Sequence, residues 1–344
     1  MRILGIETSC DETSAAVIEA NARNKVLLLS NIVSSSLPLH SKTGGIIPEV
    51  AAREQVKFII PVIQKAIENC KLKIENLDSI AVTVGPGLIG SLLVGVETAK
   101  TLSVIWNKPI IPVNHLFGHI YANFISSIRS SAAEIKFPLI GLIVSGGHTD
   151  LILMRKHGSI KWLGGTRDDA AGEAFDKIGR LLKLPYPAGH IIEKLAKEGN
   201  PKAFYFPRPM IGSKDFDFSF SGLKAAVARE VSSSKYKVLG DELKSDLAAS
   251  VQQAIIDVLI AKTLKAAKKY KVKSILLGGG VAANQKLRDE LQKEVAENDL
   301  PTKLFVPSKE LCTDNGAMIA TAAVFNYKEV EWQKIIANPE LYFD

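Results

Sequence analysis

Apolar and polar positions spell one phrase twice along the chain. Residues 3–20 read as an apolar strand (Ile3-Leu4-Gly5-Ile6), a polar turn (Thr8-Ser9-Cys10-Asp11-Glu12-Thr13) and a second strand (Ala15-Ala16-Val17-Ile18). Residues 138–155 repeat it: an apolar run through Ile143-Val144, the turn Ser145-Gly146-Gly147-His148-Thr149, and the run Leu151-Ile152-Leu153-Met154. Each hairpin is followed, much later, by an apolar strand that passes through glycines into a helix. The first is Ile80-Ala81-Val82-Thr83-Val84 before Gly85-Pro86-Gly87, and the second is Ile275-Leu276-Leu277 before Gly278-Gly279-Gly280. A duplicated hairpin with a strand, glycine loop and helix predicts two related lobes closing on a phosphate-bearing ligand.

Between these phrases the period changes to that of helices. Val50, Val56, Ile59, Ile60, Ile63, Ala66 and Ile67 predict a helix over 50–69, and 91–105 predict another. Asn114 can cap a helix whose stripe is Leu116, Phe117, Ile120, Tyr121, Phe124, Ile125 and Ile128. The second half predicts a helical region over 168–182, an ordered aromatic loop over 201–220, helices near 241–270 and 284–297, and a last helix at about 315–327. Strands alternating with helices argue an α/β architecture. The small, polar, weakly patterned stretch 126–133 is the expected boundary, giving an N-terminal lobe 1–130 and a C-terminal lobe 131–344, with the last helix packing back on the first lobe.

Composition narrows the class. The 344 residues are 47% hydrophobic and 23% charged, ordinary for a folded chain long enough for two cores. No run of eighteen apolar residues occurs, so no membrane span is expected. Met1-Arg2-Ile3-Leu4 enters a strand directly, without the pattern of a signal peptide. Three cysteines, Cys10, Cys70 and Cys312, form no C-x-x-C pair, which favours a reducing cytoplasm over a disulfide framework. The net charge of +7 permits a polyanionic partner such as RNA, although lysines such as Lys268-Lys269 can equally solvate helix faces.

Candidate chemistry sits in four places. His115 and His119, at i and i+4, project to one side of the predicted helix and can share a metal ion or serve as polar edge residues. Leu116 stands where an H-E-x-x-H protease carries its general base, so that chemistry is missing. Asp314 is the best third ligand, and also a natural helix N-cap. Two histidines and a carboxylate leave coordination positions open, a pattern suited to Fe(II) or catalytic zinc. The glycine loops allow close approach of backbone to phosphate, yet neither matches a P-loop or a dinucleotide fingerprint. Asp169, Glu173 and Asp176 fall on one face of the predicted helix, where like charges repel unless a ligand or solvent accommodates them. Asp11 and Glu12 can orient a ligand or be simple turn residues.

Taken together these segments resemble the tRNA threonylcarbamoyladenosine transferases, the catalytic subunits once called sialoglycoproteases. The resemblance is carried by Gly5-Ile6-Glu7-Thr8-Ser9-Cys10-Asp11-Glu12-Thr13, by Gly85-Pro86-Gly87-Leu88-Ile89-Gly90-Ser91 and by Asn114-His115-Leu116-Phe117-Gly118-His119. It continues through Val144-Ser145-Gly146-Gly147-His148-Thr149, the stretch 168–177, Phe218-Ser219-Phe220-Ser221-Gly222-Leu223-Lys224, Gly278-Gly279-Gly280-Val281-Ala282-Ala283-Asn284 and Thr313-Asp314-Asn315-Gly316. These motifs span nearly the whole chain, and the opening run looks like the bacterial or organellar branch. The resemblance implies duplicated lobes of the actin, sugar-kinase and Hsp70 type (ribonuclease H-like) with a cleft between them. It implies transfer of threonylcarbamoyl from threonylcarbamoyl-AMP to the adenosine 3′ of the anticodon, in tRNAs reading codons that begin with A.

On the same resemblance His115, His119 and Asp314 hold one divalent ion, Fe(2+) or else Zn(2+). Ile143, Val144, Ser145, Gly146, Gly147, Asp176, Gly189, Glu193 and Asn284 hold the adenylate. The amine of an adenine is a poor nucleophile, which makes Asp11 or Glu12 the expected acceptor of its proton. The implied partners are tRNA, a smaller paralogous subunit and an ATPase, without a membrane. Three positions depart from the family pattern: Gln55 stands for a histidine, Gly165 for Gln or Glu, and Tyr186-Pro187-Ala188-Gly189-His190 for a Tyr-Pro-Gly-Gly-Pro run. The rival readings are a small-molecule kinase of the same fold, which has no use for a histidine pair, and a non-catalytic tRNA- or partner-binding subunit, which has no need to keep every ligand.

Overall fold

The computed structural model describes residues 1–22, 25–126, 134–233, 240–298 and 301–343. The chain divides into two compact units, Met1–Ile135 with Pro307–Asp344, and Lys136–Val306. Of the expected boundary stretch 126–133, residues 127–133 lie outside those described, Ile128 among them.

The first unit begins with the predicted hairpin, β1 (Arg2–Glu7) and β2 (Glu12–Ala20), and adds a strand the pattern did not predict, β3 (Val26–Ser35). A short turn of helix α1 (Leu37–His40) leads to α2 (Pro48–Asn69), then β4 (Ser79–Gly85), α3 (Ile89–Trp106) and β5 (Ile110–Asn114). Helix α4 (His115–Tyr121) is shorter than its apolar stripe suggested. It passes into a 3-10 turn at Ala122–Phe124 and a two-residue strand β6 (Ile125–Ser126). The sheet order is β5-β4-β1-β2-β3-β6, with β4 parallel to β1 and β1-β2-β3 antiparallel. Leu4, Ile6, Val82, Leu92, Val96 and Ala99 pack into one core between this sheet and the helices.

The second unit repeats the plan: β7 (Leu139–Val144), β8 (Thr149–Lys156) and a third strand β9 (Ser159–Gly165). Then come α5 (Ala171–Leu181), α6 (Gly189–Ala196), α7 (Ser221–Val231), α8 (Asp241–Tyr270), β10 (Ser274–Gly278), α9 (Gln285–Glu297) and β11 (Lys303–Phe305). Its sheet order is β11-β10-β7-β8-β9. Helices α3 and α8 are long and apolar enough, by length and composition, to cross a membrane. In α8, 83% of the most apolar window is buried within the protein. Helix α5 starts after Asp168 and Asp169 rather than at them, so Asp169 drops out of the expected acidic face and only Glu173 and Asp176 share it. Asp169 instead lies in the preceding loop, ion-paired to Lys177 at 2.5 Å and Lys224 at 3.0 Å.

The chain then returns to the first unit in α10 (Gly316–Phe325), which packs across β1 and β2. Contact is backbone to backbone. A Cβ on Gly5 would lie 2.1 Å from the Gly316 carbonyl oxygen, and the Gly316 N–H donates to Ser14 Oγ at 2.9 Å.

Candidate metal centre

His115 and His119 come from one turn of α4. Asn114 closes β5 and caps this helix, its Oδ1 accepting the Leu116 N–H at 2.8 Å while its Nδ2 donates to the Tyr342 carbonyl at 2.7 Å. The rings meet edge to face with centroids 4.6 Å apart, and both residues are buried, His119 completely.

The third group arrives from α10. Asn315, not Asp314, caps that helix: its Oδ1 accepts the Met318 N–H at 3.0 Å and its Nδ2 donates to the Thr313 carbonyl at 2.7 Å. The Asp314 carboxylate is therefore not consumed by capping. Its Oδ1 lies 3.5 Å from His115 Nε2 and 3.4 Å from His119 Nε2, and ligand atoms of the three residues all fall within 4.8 Å of one another. Ligands held about 2.0–2.2 Å from a common ion are separated by roughly 3–3.5 Å. The donor set thus fits a divalent metal of the imidazole- and carboxylate-binding kind.

Behind His115 stands Glu7, fully buried at the end of β1. Its Oε2 is 3.1 Å from His115 Nδ1 and accepts from Thr83 Oγ1 at 2.5 Å, while its Oε1 accepts the Ser9 N–H at 2.5 Å. Burial works against its charge, but His115 and these donors outweigh it and hold the Glu7 pKa below its ordinary value. For His115, burial opposes the charged ring, but the carboxylates of Asp314 and Glu7 overcome it and lift the pKa to about 9. Burial pushes Asp314 up to about 6 despite His115. Glu12 is driven well above the carboxylate range, by burial first and then by Asp314 and Asp11. Four carboxylates sharing a desolvated corner favour an added cation.

The turn that carries Asp11 and Glu12 is held by a residue whose role the sequence did not disclose. Gln55, fully buried on α2, donates from Nε2 to the carbonyls of Thr8, Cys10 and Glu12 at 3.3, 3.0 and 3.0 Å. Asp11 is fastened further by Ser36, whose N–H and Oγ both donate to its carbonyl at 3.0 Å. Glu7 was also missed as a contributor. Its one signal is a carboxylate ending an otherwise apolar strand.

The second unit gathers the expected adenylate residues within itself. Ile143 and Val144 are buried at the end of β7, where the chain turns through Ser145, Gly146 and Gly147. Gly279 has φ +93, and a Cβ there would lie 2.3 Å from the Val144 carbonyl oxygen, so the two glycine loops touch. Asp176 accepts the Ala188 N–H at 2.7 Å just before Gly189 opens α6. Glu193, on α6, accepts the Gln285 N–H at 2.8 Å, and Asn284 caps α9 through the Leu287 N–H at 3.0 Å. Space is open beside Gly146, Gly147 and Gly280. Two departures are accommodated locally. Ala188 is buried against Gly179, and a Cβ at Gly165 would come within 2.5 Å of Asp150 Oδ1.

Comparison with known proteins extends this geometry. A family model described as "TsaD: tRNA N6-adenosine threonylcarbamoyltransferase" matches residues 27–321. A relative from Moorella thermoacetica named tRNA N6-adenosine threonylcarbamoyltransferase is 46% identical over 337 residues, 98% of this chain and 95% of its own. One from Geobacillus thermodenitrificans with the same name is 48% identical over 347 residues, 98% of this chain and 96% of its own. Among solved structures, full-length HypF in its phosphate- and nucleotide-bound form aligns with a TM-score of 0.60 at 13% identity, over 94% of this chain and 55% of that one, a likeness of fold alone.

Proposed function

Because the chain belongs to the tRNA N6-adenosine threonylcarbamoyltransferase family, we propose that it takes its threonylcarbamoyl group from threonylcarbamoyl-AMP and delivers it to the adenosine 3′ of the anticodon. The protein is a transferase acting on tRNA. The tRNAs served are those reading codons that begin with A. In the reaction the adenosine N6 attacks the carbamoyl carbon, the bond from that carbon to the phosphate oxygen breaks, and AMP leaves with the electron pair.

The observation that carries this reading is the meeting of His115 Nε2, His119 Nε2 and Asp314 Oδ1 beside the turn of Asp11 and Glu12. These three side chains hold one divalent ion, Fe(2+) or else Zn(2+), which when bound supplies Lewis-acid polarisation of a substrate oxygen. Glu7 keeps the His115 ring oriented with Nε2 forward. Asp11 or Glu12, on the turn beside the three ligands, accepts the N6 proton. Ile143, Val144, Ser145, Gly146 and Gly147, with Asp176, Gly189, Glu193 and Asn284, hold the adenylate, its phosphate against the open glycine backbone. The chain works in the cytoplasm with a smaller paralogous subunit and an ATPase.

The test is transfer itself. Labelled threonylcarbamoyl-AMP and unmodified tRNA are incubated with the protein and the two partners, with and without chelator. Label should enter the tRNA, and should be lost with chelator and in Asp314→Ala, together with bound metal. Undiminished metal content and turnover in Asp314→Ala would refute the ligand assignment. No transfer in any mixture would refute the donor.

A further inference from the structure

The positive charge of this protein is unevenly placed. The second unit carries 28 Lys and Arg against 19 Asp and Glu, while the first carries 15 against 17. All of the excess over neutrality therefore belongs to the second unit.

Within that unit the topology gathers cations at one end of the sheet. Strands β7, β10 and β11 run parallel, so their starts share an edge, and β8, antiparallel to β7, ends there. Lys136 precedes β7, Lys271 and Lys273 precede β10, Lys303 begins β11, and Arg155 and Lys156 finish β8. All six are exposed, and none is ion-paired among the described residues. Glu297, ending α9 at the same edge, is already paired with Lys293 at 3.7 Å.

The backbone of this rim is fixed. The Lys273 N–H donates to the Pro138 carbonyl at 2.8 Å, the Lys303 N–H to the Lys273 carbonyl at 3.1 Å, and the Lys136 N–H to Ser274 Oγ at 2.9 Å. Three strand spacings of about 4.8 Å put the cations along roughly 15 Å. A row of exposed cationic groups on a rigid edge is suited to successive phosphates of one nucleic-acid strand, read without regard to sequence. The rim lies at the opposite end of β7 from Ser145, roughly 20 Å away at 3.3 Å per residue. It is too far to serve the adenylate, and at a distance where a large RNA substrate still needs support. A membrane surface fits less well. The large apolar side chains exposed on this unit, among the described residues, are Trp162, Tyr205 and Ile211, none of them at the strand ends.

We propose that the rim of Lys136, Arg155, Lys156, Lys271, Lys273 and Lys303 binds backbone phosphates of the tRNA substrate outside its anticodon stem-loop. This rests on the reading of the protein as a tRNA-modifying transferase. The test compares the wild-type chain with Lys136→Glu/Lys273→Glu/Lys303→Glu, and with a control reversing three exposed lysines of the first unit, Lys65→Glu/Lys73→Glu/Lys328→Glu. Binding is measured for a full-length tRNA transcript and for its isolated anticodon stem-loop, across a salt series.

The rim variant should bind full-length tRNA about tenfold or more weakly near 0.1 M salt. The slope of log K against log salt should fall by about 2–3, close to one unit per lost phosphate contact. Stem-loop binding should be unchanged, which also shows that the variant is folded, and the control should bind both RNAs as wild type does. Unchanged full-length binding in the rim variant overturns the proposal. So does an equal loss with the stem-loop, which would move the rim to the anticodon arm. So does loss of binding to phosphatidylserine vesicles with tRNA binding intact, which would make it a membrane contact. Wild-type protein that binds neither RNA even with the two partners present would overturn the transferase reading itself, a result distinct from all of these.

Discussion

Glu7 Oε2 lies 3.1 Å from His115 Nδ1, on the side of the ring opposite Asp314. The contact fixes which nitrogen faces the acidic corner and makes that nitrogen a better donor to a metal. Glu7→Gln keeps the shape and the contact with Thr83 but removes the charge. Metal affinity should fall about 10- to 100-fold, as is usual when an outer partner of a ligating histidine is altered. Titration with zinc against a competing chelator measures this, and affinity within twofold of wild type would show Glu7 to be only a packing residue.

The same charges give metal uptake a pH dependence. Without metal, His115 stays protonated up to about pH 9, held by Asp314 and Glu7 against the cost of burial. Ligation requires the neutral ring, so near pH 7 metal binding should expel a proton, and affinity should rise about tenfold per pH unit until about 9. Calorimetry in buffers of different ionisation enthalpy counts that proton. The raised pKa also stabilises the metal-free fold. That contribution is complete below the ordinary value of 6.5 and is lost as pH rises through 9. The metal-free protein should therefore lose thermal stability between those limits while the metal-bound protein does not. A metal-free Tm that is flat or rising across this window would count against the assigned charge state.

Much of this was legible because it depends on local patterns. The two hairpins, the strand–glycine–helix phrases and the histidine pair are written in spacing and turn chemistry. Strands β3 and β9 were not predicted: β3 reads Val26-Leu27-Leu28-Leu29-Ser30-Asn31, an apolar run of no clear period, and its pairing with β2 is a long-range choice. Helix α4 ends at Tyr121 although the apolar stripe continues, because Ile125 pairs with Val26 of β3 instead. Asp169 was placed on a helix because i, i+4 and i+7 spacing cannot show where a helix starts. In the structure lysines neutralise it from two helices. Glu7 and Gln55 were missed as parts of the site because their partners are 108 and 43–47 residues away in sequence.

The approach of α10 to β1 is what delivers Asp314, and it depends on two facing glycines. Gly5→Ala would place a methyl 2.1 Å from the Gly316 carbonyl oxygen and 2.7 Å from the Ala320 nitrogen, both backbone atoms that cannot rotate away. Helix α10 must shift or the chain must strain, at about 1–3 kcal/mol. We expect a lower Tm together with a loss of metal stoichiometry larger than that caused by surface substitutions of equal ΔTm. A stabilised or unchanged protein with full metal content would show that the close approach of Gly5 and Gly316 does not position Asp314.

Gln55 supplies a more selective test, because it touches the acidic turn and none of the three metal ligands. Its amide serves the carbonyls of Thr8, Cys10 and Glu12 from a fully buried position. Gln55→Leu is close in volume but leaves these acceptors without that donor, at a cost of about 1–3 kcal/mol for each buried group left unsatisfied. The larger effect should be on turnover, since release of the turn unseats Asp11 and Glu12 while His115, His119 and Asp314 stay in place. Metal content should remain near one per chain, KM for tRNA should change little, and kcat should fall by about tenfold or more. Gln55→His, which restores one ring N–H towards the same carbonyls, should recover part of kcat. If both variants lost stability alike and neither changed kcat, Gln55 would be a structural residue and the turn it holds would have no part in the chemistry.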